Sequence, residues 1–493
     1  MATLSGLFRQ LVARSPAKPD LPAIGRLVEE GRLDEAEARL HALGATLADP
    51  YAQMLFARIR REQGRVDEAV DVLEGLLSDH GEFEPARLEL AAIAGAAGDL
   101  RAACRHYEAA LAAHPESLPL LNNHGQVLLE MGEPQRALAQ LERAVAVGGE
   151  TPQVLRGLAR AHADLGRYAE AERAARAEMA ITPDRPAVRV RVAELLLEQG
   201  RTDEAWPGYE ARLERPDFIW GVKGLPRWDG ARRCRRLRII AEQGLGDTML
   251  FARHVPLAAA RVERVQLLVR KPLARLLASS FAGGNVDVST ETQLEDDLDA
   301  HVHLLSLPHA LGLGAAAVRR ERAYLRPDPA LCAAWRQRVA AHPGLRVGLM
   351  WRGNPANPMD ARRSLPIEVA ARLGDVREGI AWFNLQVDPD PAHPQPRPFP
   401  MIDLPQQDFA DSAALIAALD LVVSVDSSVA HAAGAVGTPL WLIAQSPPGW
   451  RWEMGGRENP WYGDVRLFRP ASQRGHAPVV EAIASALRER AAG

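Results

Sequence analysis

Three clusters of residues in this chain have types and spacings that could do chemistry. The first is Gly244-Leu245-Gly246-Asp247, which follows the apolar run Leu237 to Ile240 and precedes a helical stretch holding Met249, Leu250, Phe251 and Val255. Strand, tight glycine turn and helix in that order put the turn at the carboxyl end of a strand, where open α/β sheets hold ligands. It departs from a dinucleotide fingerprint, because Met249 replaces the third glycine of G-x-G-x-x-G and the next strand ends in Arg270-Lys271 rather than an acid. Asp247 has two readings: a cap that satisfies free amides at the helix start, or a general base that takes the proton from an attacking hydroxyl.

The second cluster is Ser424-Val425-Asp426-Ser427-Ser428-Val429-Ala430-His431, joining a strand to a helix that Gly437-Thr438-Pro439 ends. A helix start rich in hydroxyls, with free amides, is an anion site suited to phosphate or diphosphate. His431 stands four residues after Ser427 and shares its helical face. It is either a packed core residue or a contact to that anion. The third cluster is Trp351-Arg352-Gly353-Asn354-Pro355 with Arg362-Arg363-Ser364 in the same connection. A guanidinium there can neutralise a leaving phosphate through two prongs. Gly353, Asn354, Arg363, Ser364, Gln386, Asp426, Ser427, Ser428 and His431 are the candidate ligand-binding residues, Gly244 and Gly246 the loop for a phosphate or for the molecule bearing the attacking hydroxyl, and Asp247 the catalytic candidate. Asp388-Pro389-Asp390 spells D-x-D at the edge of the proline-rich loop Pro389 to Pro400, and the prolines make it a turn rather than a metal ligand pair.

The elements that must position these clusters alternate. Val265 to Val269 and Ala300 to Leu305 read as further strands of a first unit, 216–343, with Glu321 to His342 mostly helix around a proline-containing break. Arg346 to Trp351, Trp382 to Gln386, Leu421 to Val425 and Leu440 to Ile443 read as strands of a second, 344–493, with helices at Ile367 to Leu373 and Ser412 to Leu419. That alternation predicts parallel sheets with crossover helices, two doubly wound units facing each other across a cleft.

Ahead of them, after an N-terminal segment 1–24, the pattern is different. Gly31, Gly64, Gly98, Gly132, Gly166 and Gly200 recur every 33 or 34 residues, each opening a phrase such as G-R-L-D-E-A. A period of about 34 residues is a solenoid of helix pairs, which must stack to bury their apolar faces. Ala36, Ala69, Ala103, Ala137, Ala171 and Ala205 supply a small residue five positions on, and Leu40, Leu73, Tyr107, Leu141 and Tyr209 a bulky one four further. Over 25–215 the first helices of the third, fourth and sixth repeats place Glu89, Asn123 and Arg191 on the concave face, as a polar lining for a protein partner or an ordinary solvated face.

A net charge of −4 gives no electrostatic reason to expect nucleic acid. The opening segment lacks the pattern of a signal peptide, and no window reaches the length of a membrane span, so a cytoplasmic protein without a transmembrane segment is expected. Cys104, Cys234 and Cys332 match no metal-ligand spacing and fit a reducing compartment.

The motifs E-Q-G-L-G-D-T, F-A-R-H-V-P, H-V-H-L-L-S-L-P, V-G-L-M-W-R-G-N-P, R-R-S-L-P, D-F-A-D-S-A-A-L-I, D-L-V-V-S-V-D-S-S-V-A-H-A-A-G-A-V-G-T-P and P-W-Y occur in order over 205–470. With the 34-residue repeat, which resembles the tetratricopeptide repeat (TPR), they resemble bacterial TPR glycosyltransferases related to the heptosyltransferase and O-linked N-acetylglucosamine transferase groups. The resemblance implies a fold of class α plus α/β, a TPR solenoid followed by two Rossmann-like units in a GT-B architecture. It implies a nucleotide-sugar donor held mainly by the second unit, with Arg363, Asp426, Ser427 and His431 at donor-side positions. An acceptor is held by the first unit, and transfer is inverting and metal-independent with no bound cofactor, Asp247 matching the acid of the G-D motif. Flagellin is among the implied acceptors, because related repeat-fused transferases modify flagellins. Lipopolysaccharide or another glycan as acceptor, and a non-catalytic adaptor, are the rival readings. His303 stands where relatives often have proline, and the repeat face lacks an asparagine ladder, only Asn123 occupying such a position.

Overall fold

The computed structural model describes residues 20–43, 49–215, 218, 222, 224–292, 297–355, 360–387, 396–470 and 475–492. Asp388-Pro389-Asp390 lies outside them. The chain forms two compact units, 1–181 and 182–493.

The first unit is a stack of helix pairs: α1 (Leu21–Glu29) with α2 (Leu33–Ala42), α3 (Pro50–Glu62) with α4 (Val66–Asp79), α5 (Glu84–Ala96) with α6 (Leu100–Ala113), α7 (Leu118–Glu130) with α8 (Pro134–Gly148), and α9 (Pro152–Asp164) with α10 (Tyr168–Ile181). Each pair turns on its repeat glycine, which sits at φ between 71° and 82° from Gly31 through Gly166. A side chain is strained in that left-handed conformation, so glycine ends the first helix and aims the second. The alanines of the phrase, Ala36 through Ala171, are wholly buried where helices approach, with Leu40, Leu73 and Leu141 beside them.

The second unit opens with one more pair, α11 (Pro186–Glu198) and α12 (Thr202–Tyr209), followed by a 3-10 turn over Glu210–Glu214. A four-stranded parallel sheet then takes the order β3-β2-β1-β4, from β1 (Arg236–Ile240), β2 (Arg264–Leu268), β3 (Val286–Ser289) and β4 (Ala300–His303). Helices α13 (Leu245–Phe251), α14 (Val255–Ala259), α15 (Lys271–Ser280), α16 (Leu307–Ala310) and α17 (Pro329–Ala340) connect and flank it. The expected helix over 321–342 shortens to α17, because Pro329 takes the first helical position and Asp328 before it caps the amide of Leu331 at 2.9 Å.

A five-stranded parallel sheet follows in the order β11-β8-β7-β5-β6. It is built from β5 (Leu345–Met350), β6 (Ile380–Asn384), β7 (Leu421–Val425), β8 (Leu440–Ile443) and β11 (Val465–Phe468), the hairpin β9 (Glu453–Met454) and β10 (Arg457–Glu458) lying between the last two in sequence. Short α18 (Asp360–Arg363) and α19 (Ile367–Ala370), then α20 (Phe409–Ile416), α21 (Ser428–Val436) and α22 (His476–Ala492), complete it. Strand order reverses between β1 and β4 in the first sheet and between β5 and β7 in the second, the switch points at which doubly wound sheets open a crevice.

Candidate active site

A cavity of about 770 Å³ lies at the carboxyl ends of both sheets' strands. The loop after β1 brings Gly244, Gly246 and Asp247 to its wall, and Arg270 comes from two residues beyond β2. From the second sheet come Arg352, Gly353 and Asn354 after β5, Gln386 after β6, Asp426, Ser427 and Ser428 after β7, and Gln445 after β8. Arg363, His431 and Arg451 complete the polar lining. Ser364 is not on the wall. Its hydroxyl accepts from the amide of Gly353 at 2.8 Å and so shapes the loop that is.

The β1 loop is held from several sides. Gln243 adopts φ 62°, a conformation that costs a non-glycine residue of order 1 kcal/mol, and its amide donates to the Tyr209 hydroxyl at 3.1 Å. Glu242, fully buried, accepts from Arg212 at 2.7 Å, and Arg212 also donates to the Ser306 hydroxyl at 2.7 Å and to Glu210 at 2.8 Å. Asp247 does not occupy the capping position itself. Gly244 does, and Asp247 reaches back from the third helical residue so that its Oδ2 accepts from the Gly244 amide at 3.2 Å. Its Oδ1 accepts from Arg451 Nε at 2.7 Å, and that guanidinium stacks over Trp450 at 4.3 Å.

Opposite, Ser427 caps α21, its hydroxyl accepting from the Ala430 amide at 3.3 Å, while the half-buried Ser428 lines the cavity. Asp426 accepts from Trp452 Nε1 at 2.9 Å. Arg363 reaches Asp360 at 3.3 Å, and the Gln386 side chain accepts from the Arg352 amide at 3.1 Å. His431 is buried, stacked on Trp452 at 4.7 Å, with Nδ1 and the Tyr462 hydroxyl 2.7 Å apart. Burial pushes its pKa down to about 4, so the imidazole is neutral near pH 7. Gly246 packs against this ring so closely that a Cβ there would come 2.5 Å from His431 Cδ2, which makes the second glycine a requirement of helix contact. His431 thus both packs and faces the cavity. Four arginines in the lining with a helix start suit an anionic group, and Asp247 and Asp426 are carboxylates that face the same space.

The repeat-face candidates separate. Glu89 in α5 is 7% exposed and ion-paired with Arg61 of α3, so it bridges successive pairs rather than offering itself to a partner. Asn123 in α7 is half-buried and bonded to Asn122 at 3.1 Å, and Arg191, in α11, belongs to the second unit. Arg270, Gln445 and Arg451 escaped sequence reasoning. Arg451 lies in the loop between β8 and β9, where no periodicity marks it; the neighbouring P-W-Y motif at 460–462 was its nearest signal.

Residues 122–186 match the tetratricopeptide repeat, and residues 399–444, which carry the whole turn from β7 into α21, match glycosyltransferase family 9 (heptosyltransferase). Protein FlbA of Caulobacter vibrioides is 30% identical over 426 residues, spanning 78% of this chain and 69% of that protein. The chain belongs to the TPR glycosyltransferases. The transferase is also similar to cellulose synthase operon protein C of Xanthomonas axonopodis pv. citri, 28% identical over 186 residues that span 33% of this chain and 12% of that one. A thermophilic TPR protein of Thermus thermophilus is 26% identical, with a TM-score of 0.31 over 36% of this chain and 97% of that one. Among the described residues no helix of the transferase is long and apolar enough to cross a membrane.

Proposed function

We propose that the transferase moves a sugar from a nucleotide-sugar donor to a hydroxyl of a protein acceptor by a single inverting displacement that needs no metal, within a GT-B arrangement of its two sheets. The observation that carries this reading is the shared cavity, with the Asp247 carboxylate on one wall and the amino end of α21 on another. The acceptor oxygen attacks the anomeric carbon as its proton passes to Asp247, and the bond from that carbon to the diphosphate breaks on the opposite face. The departing negative charge falls to the α21 amides, Ser428 and the arginines of the wall, Arg270, Arg352 and Arg363 among them, which do the neutralising work of a metal ion. Arg451 holds the Asp247 carboxylate in place through its Nε, and a donor diphosphate competing for the same guanidinium would free that oxygen to meet the acceptor hydroxyl.

The repeats recruit the acceptor, and flagellin is the acceptor proposed, on the resemblance to repeat-fused transferases that modify flagellins. A cytoplasmic setting fits a nucleotide-sugar donor. Single-turnover transfer to purified flagellin from saturating nucleotide sugar tests both parts. Asp247→Asn keeps an oxygen for the Gly244 amide, so donor affinity should hold within a few-fold while transfer falls by about two to four orders of magnitude. Near-normal transfer by a folded Asp247→Asn protein would remove the base. Transfer to a glycan acceptor but not to flagellin would replace the acceptor, and no nucleotide-sugar binding at all would favour the adaptor.

A further inference from the structure

In the first unit, α6 and α7 bring together three ligand-type side chains that spacing along the chain does not connect. Cys104 and Glu108 lie one turn apart on α6, and His124 projects from α7. Cys104 Sγ is 3.3 Å from His124 Nε2 and 3.5 Å from Glu108 Oε1, and the three ligand atoms all lie within 4.8 Å of one another. Tetrahedral zinc, with bonds of about 2.3 Å to sulfur and about 2.0–2.2 Å to nitrogen or oxygen, sets its ligands roughly 3.4–3.6 Å apart. Two edges of the cluster therefore already have near the length a zinc ion requires.

The chemistry of the set agrees. One thiol, one imidazole and one carboxylate form a donor set of borderline softness, which magnesium and calcium, seeking oxygen alone, do not favour. Cys104 and His124 are buried at 5% and 3% exposure, whereas the Glu108 side chain is 48% exposed and leaves a way in and a fourth position for water. The competitor is Arg136, which reaches Glu108 Oε1 at 2.8 Å. Both partners are about half exposed, and such surface pairs contribute only about 0–1 kcal/mol, too little to hold the carboxylate against a divalent ion.

We propose that Cys104, Glu108 and His124 bind one zinc ion, which ties the third helix pair to the fourth. On binding, the Sγ–H bond breaks, its proton passes to solvent and a zinc–sulfur bond forms, with no change of oxidation state. The site is independent of the transfer chemistry.

Zinc titrated by calorimetry into the metal-stripped full chain should show one equivalent with release of one proton, read by repeating the titration in buffers of different protonation heat. Cys104→Ser should abolish that equivalent, His124→Ala should weaken it at least tenfold, and the melting temperature should rise with zinc only in the wild type. Cobalt(II) provides a test that needs no variant, since a thiolate ligand gives an intense charge-transfer band in the near ultraviolet. Absence of that band in the wild-type protein would overturn the proposal. So would an unchanged stoichiometry and affinity in folded Cys104→Ser, which would assign the zinc to exposed histidines.

Discussion

The phrase G-R-V-D-E-A that opens the second half of α3–α4 and the phrase G-R-T-D-E-A that opens α12 differ by one residue, yet the two helices are covered by different things. In the stack, Ala69 and Leu73 are wholly buried among aliphatic side chains of neighbouring pairs. In α12, Ala205 is equally buried, but Trp206 and Tyr209 join Phe251, Trp450 and Trp461 in ring contacts of 6.0 to 6.4 Å. A repeat period fixes the backbone of a helix pair, whereas the identity of whatever covers it is written elsewhere in the chain. The last pair has kept the form of a repeat and become part of the catalytic unit.

The sharpest way to break this comparison is truncation. A fragment of residues 182–493 should melt cooperatively and still bind nucleoside diphosphate. One beginning at 216, the boundary the repeat pattern implies, strips Arg212 from buried Glu242 and uncovers the aromatic cluster, and calorimetry should find no cooperative transition. Next, Trp450→Ala in the 182–493 fragment should cost about 3–5 kcal/mol by denaturant titration, because it empties the centre of the cluster. A cost under about 1 kcal/mol would mean that the rings touch without supporting one another. Gly246→Ala should cost about 1–3 kcal/mol, since the added methyl meets a His431 ring that Trp452 keeps from swinging aside.

The smallest effect is in pH. Burial pushes Glu198 of α11 up to about 8, while its Oε1 accepts from the Trp450 amide at 2.8 Å. A carboxyl whose folded pKa is raised contributes stability below its unfolded value near 4.5 and loses it as pH rises towards 8. Glu198→Gln, which keeps the acceptor and removes the titration, should therefore melt like wild type at pH 5 and above it at pH 8. His431 works in the opposite sense, its contribution being present above pH 6.5 and lost as pH falls towards 4. Melting temperatures of Glu198→Gln and wild type that run parallel between pH 5 and 8 would show that the buried carboxyl does not titrate there.

The glycine period, the buried alanines and the turn after β7 were legible in sequence because each depends on neighbours a few residues away. Strands β3 and β11 were not, since four residues such as Val286–Ser289 show too little alternation to stand out. Eleven of the twelve candidate residues line one cavity, as their shared place at carboxyl strand ends requires. Arg451, which holds Asp247, was illegible for the same reason that Trp206 was: 204 positions separate the arginine from the aspartate, and only the fold joins them.

Trp206 also carries a cost in time. It leaves the ribosome about 240 residues ahead of Trp450, the last of the rings it touches. At about 5–20 residues per second that interval is roughly 10–50 s, far longer than helix formation takes. Throughout it, the Trp206 and Tyr209 rings lack the Trp450 contact that the finished fold gives them, which leaves apolar surface on the nascent chain that can pair wrongly.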